Sequence, residues 1–274
     1  MPYLSLKKLN KQEKANKNLK PIAIVKSEIG DKHKLHNHFL YLDTDTKPSS
    51  TKKTKIELPY DCRFEILPNT DRDKRDVFYL SGTSGSGKSY MIKQIVNNYH
   101  KLYPKRNVFV VSKLDEDDTL DSCKAPLIRL DPKDFIDNPP DINSPMLANS
   151  FVIFDDIDAI DDKDEEKAIH TLMNDIAVTG RKHKDGQGCI SMAFLTHYIT
   201  NYKKTRLILN EAMYYVLYPQ STSTNSLYYI LHRYLGMNRD EIRKLKKLGR
   251  WVVVHKNFPN YLISQYTAEI LNMD

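Results

Sequence analysis

Glycine is scarce in this chain: nine in 274 residues, three of them between positions 82 and 87. Tryptophan occurs once and cysteine three times, at Cys62, Cys123 and Cys189. An odd number of widely spaced cysteines matches neither a disulfide framework nor a clustered metal site, and fits a reducing compartment. No apolar run approaches the ~18 residues that a membrane helix needs. The first twenty residues hold no apolar segment of the secretory type, so no leader is expected there. His33, His36 and His38 lie close together, but a solvated polar loop accounts for them more simply than a metal site does. With 40% hydrophobic and 28% charged residues, the composition is globular and excludes wholesale disorder, collagen-like and coiled-coil chains. The length suffices for one large domain or two small ones with a real core.

The net charge of +7 is uneven. Residues 1–20 carry six lysines and one glutamate, residues 21–180 are net acidic, and residues 181–256 carry 14 basic and four acidic side chains. Basic ends around an acidic centre suggest a polyanionic partner, although lysine-rich stretches also serve simply as solvated faces.

Residues 1–20 lack an apolar period and read as a basic arm. Short strands are expected around 21–25 and 38–42, followed by a linker, so residues 1–56 read as an N-terminal arm and linker and residues 57–274 as the main domain. From there, compact apolar runs at 62–67, 77–80, 107–112, 126–130, 151–154, 189–195, 214–217, 251–255 and 261–266 predict strands. Helices are expected at 88–102, 163–180, 224–235 and 238–248. The second of these stretches opens well: Asp162 and Glu165 have capping-box spacing, and Ile169, Leu172, Met173, Ile176 and Ala177 recur on one helical face. Strands alternating with helices imply an α/β fold, a mostly parallel sheet covered by helices on both faces.

Between the run at 77–80 and the helix from Lys88 stands Gly82-Thr83-Ser84-Gly85-Ser86-Gly87-Lys88-Ser89, followed by Tyr90. The G-x-x-x-x-G-K-S spacing, with a strand before and a helix after, is a phosphate-binding loop. Its glycines let backbone N–H groups turn inward as an anion nest. Lys88 would then reach the β- and γ-phosphates and the Ser89 hydroxyl would bind Mg²⁺, which makes ATP and Mg²⁺ the expected cofactors. The buried run at 151–154 ends in Asp155 and Asp156. Asp155 would hold Mg²⁺ beside Ser89, and Asp156 would polarise the attacking water.

These motifs, followed by Thr179-Gly180-Arg181-Lys182-His183, by Phe194-Leu195-Thr196-His197 and by Thr205-Arg206-Leu207-Ile208-Leu209-Asn210-Glu211-Ala212, resemble in order the genome-packaging ATPases of poxviruses, other large nucleocytoplasmic DNA viruses and virophages. That family belongs to the FtsK–HerA division of P-loop motors. The resemblance spans residues 75–220 and implies a P-loop NTPase core of the additional-strand, RecA-like kind. It implies that Asp156 is the catalytic base, where cellular relatives usually carry Glu. Thr196 and His197 would be the polar sensor, and Arg181 the finger that reaches a neighbouring subunit, with Arg206 as the second candidate. It further implies a homo-oligomeric ring acting on double-stranded DNA, capsid or membrane-vertex partners, and a place in the host cytoplasm and the virion.

In the last third, Ile242, Leu245 and Leu248 form an apolar seam that leaves Arg243, Lys244 and Lys247 to solvent or DNA phosphates. Lys182, Lys184, Lys203 and Lys204 fall on loops. Tyr214, Tyr215, Tyr228 and Tyr229 read as core. A small-molecule kinase, or a weakly hydrolysing structural protein of the virion, remains an alternative to a DNA translocase.

Overall fold

The computed structural model describes residues 2–8, 18–44, 53–157, 160–181, 188–197 and 202–271, with backbone alone at 202–204. The chain divides into two units: residues 71–215, and residues 1–70 together with 216–274.

The second of these units begins with five strands, β1 (Tyr3–Lys8), β2 (Leu19–Ser27), β3 (His38–Asp43), β4 (Lys55–Glu57) and β5 (Cys62–Ile66). An antiparallel sheet runs β1-β3-β2-β5. Its register sets Leu4 opposite Leu42 and Leu6 opposite Leu40. The pairing of β2 with β3 shifts between Pro21 and Ala23, where proline offers no N–H to the ladder. The expected basic arm over 1–20 therefore carries the strand β1, while the short strands expected around 21–25 and 38–42 are β2 and β3. The alternation around Leu4 and Leu6 is too short to stand out among lysines, and the strand that pairs with it lies far along the chain.

The 71–215 unit holds β6 (Val77–Ser81), α1 (Lys88–Leu102), β7 (Val108–Ser112), α2 (Asp118–Asp121), β8 (Leu127–Leu130), α3 (Asp134–Asp137), β9 (Phe151–Asp155), α4 (Lys163–Thr179), β10 (Ser191–Thr196) and α5 (Tyr202–Glu211); β11 (Tyr214–Leu217) straddles its boundary. The strand order is β11-β6-β10-β9-β7-β8, and the pairs from β6 to β8 are parallel. β6, β9 and β10 are buried along their whole length, which is why they read as unbroken apolar runs. β8 is half exposed because it is the last strand of the row. Phe78 stacks on Tyr214 at 4.5 Å, and Phe151 meets Tyr99 edge-on at 5.1 Å. Each buried ring of this kind stabilises the core by ~1.5–3 kcal/mol relative to exposure.

α4 begins as expected, with the Asp162 carboxylate accepting from the Asp164 and Glu165 amides, and its five-residue stripe is buried. It stops at Gly180, where a Cβ would stand 2.5 Å from the Ile176 carbonyl oxygen. There Arg75, almost fully buried, donates to the carbonyls of Ile176 and Ala177. A guanidinium at this end also suits the helix dipole. The helix α5 was not anticipated.

The other unit closes with α6 (Thr224–Arg233), α7 (Arg239–Leu245), β12 (Val252–His255), β13 (Tyr261–Ser264) and β14 (Thr267–Ile270). β4, β14, β13 and β12 are neighbours in that order and antiparallel. Asn238 and Glu241 form a capping box on α7, which ends three residues earlier than its pattern suggests. The strand β14, four residues long, was missed.

Candidate nucleotide-binding site

β6 delivers the chain into the glycine-rich turn. Gly82 N donates to the Thr196 carbonyl at 3.2 Å and Ser86 N to Thr83 at 3.1 Å. Gly85 and Gly87 have φ of 73° and 108°, in the left-handed region that side chains rarely enter. α1 starts at Gly87 with no side chain capping its N-terminal amides, the arrangement that receives an anion. Thr83, Ser84, Gly85 and Tyr90 are exposed, whereas Gly82, Ser86 and Lys88 are buried. Lys88 Nζ donates to the Gly82 carbonyl at 2.8 Å and lies 3.2 Å from His197 Nδ1. Burial lowers its pKa, while the carboxylates of Asp156 and Asp155 act to raise it.

The two acids stand where the strands end. Asp155 closes β9 opposite Ser112 of β7 and is nearly buried. Burial pushes its carboxyl up to about 7, with Asp156 and Asp117 adding to the rise. Asp156 leaves the strand at φ 51° and places Oδ1 2.7 Å from His197 Nε2. The ammonium of Lys88 can only donate, so His197 Nδ1 accepts and its Nε2–H points to Asp156. Thr196, fully buried, ends β10 level with Ser81 of β6. A continuous polar chain therefore runs from Lys88 through His197 to Asp156. β10, which leads directly into the middle link, lies between the phosphate-loop strand β6 and the acid-bearing β9, which is the additional-strand arrangement of P-loop NTPases.

One site residue escaped the sequence reading. Asp117, after β7, accepts a hydrogen bond from Ser89 Oγ at 3.0 Å, while its other oxygen caps α2 through the Leu120 amide at 2.7 Å. The only signal was an acid three positions before a buried leucine, hidden in an acidic stretch. The Ser89 hydroxyl with the carboxylates of Asp117 and Asp155 makes a set of hard oxygen donors that suits Mg²⁺. Crowding of acids around Asp155 is the electrostatic strain that a divalent cation would relieve. Lys88, the loop amides and the uncapped helix end fit a triphosphate.

Arg181 is exposed at the end of α4 and pairs within its own chain with Glu211 at 3.0 Å. Arg206 is exposed on α5. Lys182 and Lys184 lie outside the described residues, as do the side chains of Lys203 and Lys204. Arg243, Lys244 and Lys247 are exposed as expected, with Ile242 and Leu245 buried and Leu248 partly so. Tyr214 and Tyr215 are core; Tyr228 and Tyr229 are only half-buried, and Tyr228 stacks on His232 at 4.9 Å. Tyr228 and Tyr229 are thus not core residues: α6 leaves both partly open to solvent.

No protein-family model matches the chain. Among solved structures it is similar to the genome-packaging NTPase B204 of Sulfolobus turreted icosahedral virus 2 in complex with ATP-gammaS, at 15% identity, 72% of this chain, 98% of that chain and a TM-score of 0.43. It is also similar to the pCW3 conjugation coupling protein TcpA, at 12% identity, 91% and 77% coverage and a TM-score of 0.45. Among curated proteins, the uncharacterized protein V3 of Sputnik virophage is 30% identical over 259 residues, which are 93% of this chain and 97% of that protein. Identity at that level along nearly the whole of both chains places this P-loop NTPase in the family of the virophage V3 protein.

Proposed function

We propose that the chain is an ATPase motor that moves double-stranded DNA into a viral capsid as a ring of identical subunits. The observation that carries this reading is the polar chain from Lys88 through His197 to Asp156. It ties the phosphate loop to an acid on the far side of the intervening strand β10, so phosphate occupancy and water activation share one set of hydrogen bonds.

In the proposed reaction the loop amides and Lys88 bind the phosphates. Ser89, Asp155 and Asp117 would hold Mg²⁺, which when bound draws charge from the β- and γ-phosphoryl oxygens. Asp156 orients a water and accepts its proton. The water oxygen bonds to the γ-phosphorus as the bridging P–O bond breaks, and ADP and inorganic phosphate leave. A γ-phosphate oxygen competes with His197 for Lys88, which lets the imidazole report occupancy to Asp156. Arg181 of one subunit completes the site of the next, an effect worth roughly 10³–10⁵ in rate. Exposed Arg243, Lys244 and Lys247 would track DNA phosphates without reading sequence. Capsid or membrane-vertex proteins would anchor the ring in the host cytoplasm or the virion.

The test is the ATPase rate against protein concentration, with and without duplex DNA at two salt concentrations. A specific activity that rises with concentration, and DNA stimulation that fades with salt, support the motor. Constant specific activity and indifference to DNA refute it.

A further inference from the structure

We propose that His33, Asp61 and Cys62 form a binding site for a zinc-type divalent ion, in the unit that does not carry the phosphate loop. Their ligand atoms all lie within 4.8 Å of one another. Cys62 Sγ stands 3.2 Å from His33 Nδ1 and 3.8 Å from Nε2, and Nε2 stands 3.6 Å from Asp61 Oδ2. In a tetrahedral zinc site, metal–ligand bonds of ~2.0–2.3 Å set neighbouring donors roughly 3.5 Å apart. The two separations made by Nε2 are close to that spacing before any metal enters.

The donors arrive on two separate pieces of backbone. His33 follows a short 3₁₀ turn, Gly30–Lys32, and its amide donates to the Gly30 carbonyl at 3.0 Å. Asp61 precedes β5 and Cys62 opens it; the Cys62 amide donates to the Pro59 carbonyl at 3.0 Å and the Asp61 carbonyl accepts from the Glu28 amide at 3.0 Å. The cluster is therefore held by main chain on both sides. Sulfur, imidazole and carboxylate together select zinc over magnesium or calcium, which take oxygen. Cys62 is buried, while the side chains of His33 and Asp61 are 15% and 22% exposed, so the fourth position opens toward water. A surface cavity of about 590 Å³ lined by His33, His36 and Asp31 adjoins it.

The proton balance is defined. Leu35 N donates to His33 Nδ1 at 3.1 Å, so the metal-free ring carries its proton on Nε2, toward Asp61. Coordination by Nε2 moves that proton to Nδ1 at the expense of the Leu35 contact, and coordination by sulfur releases the thiol proton. One proton is lost to solvent per ion bound.

The test is titration of metal-stripped full-length protein with Co²⁺, followed by the near-ultraviolet sulfur-to-cobalt charge-transfer band, which requires a thiolate. The expected result is a band saturating at one ion per chain, displaced by Zn²⁺, lost in Cys62→Ser and kept in Cys123→Ser and Cys189→Ser. His33→Gln and Asp61→Asn, at more exposed positions and with the thiol intact, should each weaken binding by about tenfold or more. They carry the test should Cys62→Ser fail to fold. Absence of the band at equimolar Co²⁺, its survival in Cys62→Ser, or unchanged affinity in both His33→Gln and Asp61→Asn would leave only a buried thiol–imidazole hydrogen bond and overturn the proposal.

Discussion

Arg181 is held by Glu211 at 3.0 Å, and the same carboxylate oxygen lies 3.6 Å from Arg75. The two arginines differ in circumstance: Arg75 is buried, with its pKa lowered to about 10 chiefly by that burial, and Arg181 is 69% exposed. An exposed ion pair contributes ~0–1 kcal/mol, so in the proposed ring a phosphate offered by a neighbouring subunit would be able to capture Arg181. Arg181→Ala should lower ATPase activity by at least about 10³-fold under assembling conditions, with an unchanged melting temperature. Mixing it with Lys88→Ala subunits, which keep the arginine, should restore turnover. Failure of that complementation in mixed assemblies would place Arg181 outside the reaction.

Glu211→Ala acts on the buried partner instead. Loss of the carboxylate leaves Arg75, among the described residues, with the carbonyls at the end of α4 as acceptors, which should cost ~1–3 kcal/mol of stability. Urea denaturation of Glu211→Ala and Arg181→Ala separates the two roles, since only the first should shift the midpoint appreciably.

His197 bridges the loop lysine and the acid, so removing the imidazole should slow hydrolysis more than it weakens nucleotide binding. His197→Ala is expected to reduce kcat by about 10²-fold or more, while the affinity for a non-hydrolysable ATP analogue changes little. His197→Gln, which offers a donor and an acceptor, should recover part of the loss. Equal loss of binding and kcat would show that His197 merely shapes the pocket.

Asp117→Ala removes the acceptor of the Ser89 hydroxyl and one of the carboxylates that raise Asp155. If Asp117 helps hold the cation, the Mg²⁺ concentration for half-maximal ATPase should rise about tenfold. A Mg²⁺ dependence identical to the parent protein would reduce Asp117 to a helix cap.

Stability should also depend on pH through His255, which is buried against Tyr261 with ring centroids 4.6 Å apart. Burial, aided by Lys20, lowers its pKa from 6.5 to about 4. Between these values the unfolded chain takes up a proton that the folded chain refuses, so stability falls as pH drops from 6.5 toward 4 and is complete above 6.5. The loss should reach about 3 kcal/mol near pH 4. Denaturant midpoints across this range should show that component in the parent protein and lack it in His255→Phe.

The nucleotide site was legible because its chemistry is local. Gly82 through Ser89 sit in one turn, and the apolar run before Asp155 marks a strand buried on both faces. α4 was equally plain, since Asp162 and the Ile169-to-Ala177 stripe lie within four turns of each other. What escaped depends on distant partners. Leu4 and Leu6 acquire meaning only opposite Leu42 and Leu40. Asp117 is one acid among many until α2 turns its carboxylate to Ser89. Arg75 looks like a surface charge until the last carbonyls of α4 close over it.

The left-handed backbone at Asp156 has a consequence for sequence variation. Aspartate and asparagine are the side-chain-bearing residues that most readily accept such a φ, whereas a glutamate here would gain reach only by forcing a less tolerant residue through the same sharp exit from β9. Length of acid and shape of bend are thus a single heritable choice. Asparagine, nearly identical in outline and unable to take a proton from water, is the replacement that would leave the bend undisturbed while removing the proposed base.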